Sequence, residues 1–318
     1  MMEVSRMVNV KKVGIIGCGF VGSSIAFTLV QSQIFSEMVL IDNNTAKAEG
    51  EAMDLSHGLA YKGTMNIYAG KYEDLKDASI IIITAGVNQK PGETRLDLIK
   101  KNASIMRSII SEINKVKVEG ILLIVSNPVD VLTHVALKES GLPKNRVIGS
   151  GTVLDTARLK YLISQHLHVD TRNVHGLIMG EHGDSEFAAW SIANISGVPL
   201  NEFCEIRGYK NHEEGMRKLY EEVRDAAYKI IEKKGATYYG IAIAVDYICR
   251  AIVNNSHTML TISTELDGEY GLSGLSLSVP TLVGSSGVEK VLEINLSSVE
   301  KEKLHESGVQ LKKIIETL

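Results

Sequence analysis

The sequence predicts an α/β protein built on a doubly wound parallel sheet. Short, continuously apolar runs such as Ile80-Ile81-Ile82-Ile83 recur along the first half of the chain. A strand covered by helices on both faces has no polar side and reads as an unbroken apolar run. Stretches of helical periodicity separate most of these runs, which is the spacing of β–α–β units. The first run, Val13 to Ile16, leads directly into Gly17-Cys18-Gly19-Phe20-Val21-Gly22 and then into a helical pattern from Val21 to Val30.

Strand, glycine turn and helix together form the context in which G-x-G-x-x-G binds a dinucleotide. Gly17 would allow the tight turn, Gly19 the approach of a pyrophosphate, and Gly22 close packing of helix on strand. The second run, Met38 to Ile41, ends at Asp42, 20 residues past Gly22. A dinucleotide fold places an acid there to hold a ribose 2′-hydroxyl, and an acid would repel the 2′-phosphate of NADP, so NAD is favoured. An ordinary turn also uses glycine, and an ordinary loop also uses aspartate; the ordered combination favours the nucleotide. Further strands are expected at Met65 to Ala69, Ser79 to Thr84 and Ile121 to Val125, with helices at Arg95 to Val116 and Val131 to Leu137. No linker marks a domain boundary. We place it near Gly149-Ser150-Gly151, dividing a dinucleotide-binding domain, 1–150, from a second domain, 151–318.

Ligands of open α/β sheets lie beyond the carboxyl ends of the strands. Two loops fall there. After Thr84 come Ala85-Gly86-Val87 and a polar stretch from Asn88 to Arg95, in which Gln89 and Arg95 flank Pro91 and Gly92. It reads either as a closing loop or as a solvated one. After Val125 comes Ser126-Asn127-Pro128, where Asn127 can both donate and accept, although a plain turn uses the same residues. In the second half, Asp155 and Arg158 stand three apart in a helical pattern beginning at Thr152, so they share a face. Lys160 is turned away from that face. A surface ion pair would look the same in sequence. His182, in Gly180-Glu181-His182-Gly183-Asp184, is a candidate acid/base that Asp155 could orient, while Arg158 could take a substrate carboxylate. Thr237, after Lys233-Lys234-Gly235-Ala236, either lines a pocket or caps the amphipathic stretch that runs to Val253. Gly176 to Met179 has a strand-like pattern. A strand is expected at Val291 to Leu296 and a helix from Ser298 to Leu318.

Composition narrows the function classes. The 318 residues suffice for two domains and a full core, and a net charge of −4 leaves no basic footprint for nucleic acid. Three widely spaced cysteines, Cys18, Cys204 and Cys249, suggest free thiols in a reducing compartment, with neither a disulfide framework nor a zinc knot, and no metal site is expected. The first twelve residues lack an apolar core for a secretory signal. No apolar run reaches the roughly 18 residues of a membrane span. The cytoplasm is therefore expected, and the Asn-x-Ser triplets at Asn102, Asn194 and Asn295 read as chance.

With these residues assembled, the chain from about Lys12 onward resembles the lactate/malate dehydrogenase family, and its bacterial L-lactate branch in particular. The resemblance rests on Gly17-x-Gly19-x-x-Gly22, Asp42, the stretch from Ala85 to Arg95, Ser126-Asn127-Pro128-Val129-Asp130, the stretch from Gly149 to Arg158, and Gly180-Glu181-His182-Gly183-Asp184-Ser185. It implies a Rossmann domain followed by a mixed α+β catalytic domain, in a cytoplasmic homotetramer of fermentative glycolysis that exchanges pyruvate and L-lactate with NAD. His182 would be the acid/base, Asp155 its orienting acid and Arg95 the group that polarises the ketone. Arg158, Gln89, Asn127 and Thr237 would meet the substrate. Gly17, Gly19, Val21, Gly22, Asp42, Gly86, Asn127 and Ser150 would meet the cofactor. Lys160 and His175 stand where the family holds fructose 1,6-bisphosphate, with lysine replacing the usual arginine. The nearest rival is malate dehydrogenase, in which an arginine occupies the place of Gln89; oxaloacetate's second carboxylate needs that cation and pyruvate's methyl does not. A dehydrogenase for bulkier 2-hydroxy acids, and a protein that kept the fold without the chemistry, are the other rivals.

Overall fold

The computed structural model describes residues 9–88, 92, 94–209 and 212–318. The first half comprises β1 (Asn9–Ile16), α1 (Phe20–Ser32), β2 (Glu37–Ile41), α2 (Thr45–His57), β3 (Asn66–Ala69), β4 (Ala78–Ile83), α3 (Arg95–Val116), β5 (Ile121–Ile124), α4 (Val129–Ser140) and β6 (Val147–Gly149). These strands are parallel and lie in the order β3-β2-β1-β4-β5-β6. The order reverses between β1 and β4, whose last residues, Ile16 and Ile83, are register partners. A crevice must open where neighbouring crossovers leave in opposite directions, and it opens at the carboxyl ends of these two strands.

The isoleucine run of β4 shows why the segment has no polar face. Ile80 and Ile82 join Val13, Ile15 and α1 in one core, while Ile81 and Ile83 join Ile16, Met106 and Ile110 in the other. All four are fully buried. Each such side chain contributes about 1.5–3 kcal/mol of apolar burial.

The second half continues with α5 (Val153–Leu167), β7 (Val174–His175), β8 (Ile178–Met179), β9 (Phe187–Ala188), β10 (Asn194–Ile195), β11 (Val198–Pro199), α6 (Leu200–Ile206), α7 (His212–Lys234), α8 (Tyr239–Val253), β12 (Thr258–Asp267), β13 (Ser273–Gly284), β14 (Gly287–Val291) and α9 (Ser298–Ile315). The long β12–β13 hairpin adds to β6 through Ser263 opposite Gly149, so one sheet of nine strands crosses the expected boundary. Of the strand-like run at 176–179 only Ile178–Met179 is strand, β8, and it lies in a different small sheet from β7, which ends at His175. The strand expected at Val291 to Leu296 is not formed: β14 ends at Val291. The Tyr270 hydroxyl donates to the Leu292 carbonyl and accepts from the Ile294 amide, occupying backbone groups that a strand partner would need.

Candidate active site

The crevice between β1 and β4 is a cavity of about 550 Å³ lined by Gly17, Gly19, Asp42, Thr84, Gly86 and Val87, among others. Thr84 Oγ1 donates to the Gly17 carbonyl at 2.7 Å and ties the glycine turn to the neighbouring strand. Gly17 has φ +101°, and a Cβ at Gly22 would lie 1.9 Å from the Gly17 carbonyl oxygen. The helix can therefore start against the strand only with glycine at 22. Gly19 is different, because no atom lies within 4 Å of where its Cβ would be. It caps α1 without a side-chain hydrogen bond, leaving the first-turn amides for an external partner. Asp42 Oδ2 accepts from Cys18 N at 2.7 Å, and Oδ1 accepts from Asn44 N at 2.9 Å. Its carboxylate is thus set at the cavity wall by the turn it faces. Open space at Gly19, unpaired amides and a fixed acid fit a dinucleotide.

A second cavity, of about 300 Å³, is lined by Arg95, Asn127, Asp155, Arg158, His182 and Glu186, with Arg224, Ala227 and Tyr228 of α7 on its far side. Asp155 is buried at the start of α5. Its Oδ2 takes the Nδ1 of His182 at 2.6 Å, and its Oδ1 takes Arg158 Nη1 at 2.6 Å. The i, i+3 spacing delivers both oxygens to their partners at once. The backbone of His182 is held independently: its amide donates to Asp130 Oδ2 at 2.7 Å, and Ser278 Oγ donates to Asp130 Oδ1 at 3.1 Å. Burial drives the Asp130 pKa up to about 6, against the opposing pull of the Ser263 hydroxyl and the His182 amide. For His182, burial favours the neutral ring, but the charge and hydrogen bond of Asp155, with Glu186 and Asp130 behind, outweigh it and lift the pKa to about 9. Asp155 shows the converse: burial opposes its charge, while His182 and Arg158 hold it below the ordinary carboxylate range.

Asn127 reaches the same cavity from a cis Asn127–Pro128 bond. Asn102 of α3 sets this turn beside the end of β4. Its Nδ2 donates to the Asn127 carbonyl at 2.9 Å, and its Oδ1 accepts from Val87 N at 2.9 Å. Arg95 opens α3, where Thr94 and Asp97 form a capping box. Its guanidinium donates to Asp184 Oδ2 at 2.7 Å and to Glu181 Oε1 at 3.2 Å, so it sits against the turn that carries His182.

Not every expected residue comes to a cavity wall. Gln89 lies outside the described residues. Val21 packs on the core beside the glycine turn, and Ser150 is buried behind β6 with its amide bonded to Ile124 O at 2.8 Å. Thr237 stands in the turn between α7 and α8 and does not line the His182 cavity. Lys160 and His175 do come together, on a third cavity of about 640 Å³. Asp130, Asn102 and Glu186 were missed as contributors. Asp130 was visible only as part of the Ser126–Asp130 stretch, and nothing periodic marks the other two.

A dinucleotide crevice that ends beside a buried carboxylate–histidine pair and an arginine defines a nicotinamide-dependent oxidoreductase of small oxo and hydroxy acids. Residues 11–149 match the lactate/malate dehydrogenase NAD binding domain, and residues 152–318 match the alpha/beta C-terminal domain of the same enzymes. This chain belongs to the lactate/malate dehydrogenase family. It is 53% identical to the L-lactate dehydrogenase of Acetivibrio thermocellus over 97% of this chain and 98% of that one. It is 52% identical to the L-lactate dehydrogenase of Thermoanaerobacterium saccharolyticum over 96% and 99%. The crystal structure of a lactate dehydrogenase from a Medee basin deep-sea metagenome library superposes with a TM-score of 0.94 at 47% identity, covering 98% of this chain and 99% of that one. The ligands-bound minor L-lactate dehydrogenase of Enterococcus mundtii gives 0.94 at 45%, covering 97% and 98%.

Proposed function

We propose that this chain is an NAD-dependent L-lactate dehydrogenase, interconverting pyruvate and L-lactate with NADH and NAD⁺. The observation that carries the reading is the double use of Asp155, which holds His182 with one oxygen and Arg158 with the other. Bound nicotinamide would supply or accept the hydride. His182, kept protonated by Asp155, would donate its proton to the ketone oxygen and recover it from the hydroxyl in reverse. Asp155 fixes the ring tautomer and stabilises the imidazolium, as orienting acids do in triads. Arg158 would grip the substrate carboxylate with two parallel hydrogen bonds, choosing which face of the ketone is presented. Arg95 would leave Asp184 and Glu181 to stabilise charge developing on the ketone oxygen. Asn127 would meet substrate and cofactor, and Gln89 would select a neutral side chain over a carboxylate. Asp42 would hold the adenosine ribose and exclude NADPH.

The same reading takes the chain as a cytoplasmic homotetramer with two domains meeting near residue 150. Three buried free thiols support a reducing compartment, and no described helix is long and apolar enough to cross a membrane. Ile243, Tyr247 and Met259 line the third cavity although each is about half exposed or more, an apolar face that a neighbouring subunit would cover. Lys160 and His175 on that wall are the proposed seat of fructose 1,6-bisphosphate. A steady-state comparison of pyruvate, oxaloacetate and 2-oxoisocaproate, with NADH and with NADPH, tests the assignment. Pyruvate with NADH is expected to give the highest kcat/KM; preference for another acid overturns the substrate, and equal use of NADPH overturns the role of Asp42.

A further inference from the structure

Glu186 has no part in the chemistry above, yet it lines the same cavity. Its side chain is 4% exposed, and its carboxyl accepts no hydrogen bond from any described residue. Its Oε2 lies 4.0 Å from His182 Nδ1. One polar atom each of Asp155, His182 and Glu186 fall within 4.8 Å of one another. The backbone holds it in place: the Glu186 amide donates to Gly183 O at 3.3 Å, closing the turn after the histidine. The Tyr220 hydroxyl of α7 donates to the Glu186 carbonyl. The charged and titratable groups around it are Asp155 and Arg158 from α5, Asp130 from α4, Tyr220 and Arg224 from α7, and His182 on its own turn.

Burying a carboxylate without hydrogen bonds is costly, so its charge must be set against a neighbour. Asp155 and Arg158 already cancel each other. Glu186 and His182 then cancel only when both are charged, or carry no charge when both are neutral. Either alone leaves an unbalanced charge within this pair, whose Nδ1 and Oε2 atoms are 4.0 Å apart.

We propose that Glu186 is a positioning residue whose carboxyl titrates together with His182, ionised beside the imidazolium and protonated beside the neutral imidazole. This rests on the reading of His182 as the proton donor. As His182 passes its proton to the ketone oxygen, Glu186 takes one from solvent through the cavity; in lactate oxidation it releases that proton as His182 is reloaded. Burial first, and then the charge of Asp155, push the Glu186 pKa well above the ordinary carboxylate range, into the range where His182 itself exchanges its proton. Ionised Glu186 in turn favours the imidazolium.

Glu186→Gln keeps the shape and removes the charge, so the His182 pKa must fall. The test compares both enzymes by pH profiles of kcat/KM in each direction, and by NMR titration of histidine-labelled protein without substrate. Pyruvate reduction needs imidazolium, so its alkaline limb should move down by about 1 pH unit; the acid limb of lactate oxidation and the His182 titration should move the same way. Glu186→Asp retains a carboxyl and should shift them less, and it serves if the glutamine variant does not fold. Limbs and titration that coincide with the wild type overturn the proposal. So does a uniform loss of kcat with unmoved limbs, which marks a merely structural residue. A wild type that fails to reduce pyruvate would sink the functional reading alone, while a lowered His182 titration in the same samples would still uphold the pairing.

Discussion

Asp155 does two jobs because one carboxylate has two oxygens, and the consequences can be tested separately at His182. His182→Asn should lower turnover by about 10²–10⁴ while NADH binding persists, because acid/base transfer is lost and the nucleotide crevice is untouched. Stopped-flow turnover with fluorescence titration of NADH checks this, and near-normal turnover removes His182 from the mechanism. The same substitution should change stability against pH. The folded pKa of about 9 stands above the ordinary value of 6.5. Its stabilisation is therefore fully present below about 6.5 and lost as pH rises through about 9. The side chain is a quarter exposed, so the loss is discounted to on the order of 1–3 kcal/mol. Urea unfolding at pH 6.5 and 9.5 should show a smaller fall in the variant than in the wild type. Gln89 makes a third test at this scale. Gln89→Arg should raise the oxaloacetate-to-pyruvate ratio of kcat/KM, because a guanidinium can pair with the second carboxylate. An unchanged ratio means that residue 89 does not face the substrate.

Helix α1 and its glycines separate stability from binding. A Cβ at Gly22 meets the Gly17 carbonyl, whereas a Cβ at Gly19 meets nothing. Gly22→Ala should therefore lower stability by about 1–3 kcal/mol through backbone displacement. Gly19→Ala should leave the melting temperature unchanged and weaken NADH, since its methyl enters space meant for phosphate. Calorimetry of both variants with and without NADH distinguishes them; equal destabilisation would mean that the space at Gly19 is not a phosphate seat. The role of Gly22 was legible because a strand, a three-glycine turn and a helix are contiguous in sequence. The same local logic exposed the shared face of Asp155 and Arg158. Element ends were less legible where a side chain replaces a strand partner: Tyr270, about twenty residues upstream, stops the strand expected from Val291 to Leu296.

On the scale of the molecule, the third cavity is the proposed link between the catalytic unit and assembly. Lys160 and His175 share its wall with the exposed Ile243, Tyr247 and Met259, and among the described residues neither makes an ion pair. Fructose 1,6-bisphosphate is expected to lower the apparent KM for pyruvate by favouring a competent tetramer. Lysine in place of arginine keeps the charge and loses the bidentate fork, so half-saturation should fall at higher effector concentrations. Titration at pH 6 and pH 7.5, with sedimentation of the same samples, checks this; a flat response at both means the charge survives without the switch. The roles expected of His182 and Arg95 came with the family resemblance, while by itself the sequence determined the parallel α/β unit, the glycine turn with Asp42 after it, and the shared face of Asp155 and Arg158. Those signals are local, set by periodicity, contiguity and i, i+3 spacing. Only the tertiary structure decided that β12 and β13 extend the same sheet, that Asp130 holds the His182 backbone from α4, and that Glu186 faces the histidine. Each of these depends on which distant elements pack together, and no spacing along a single segment records that.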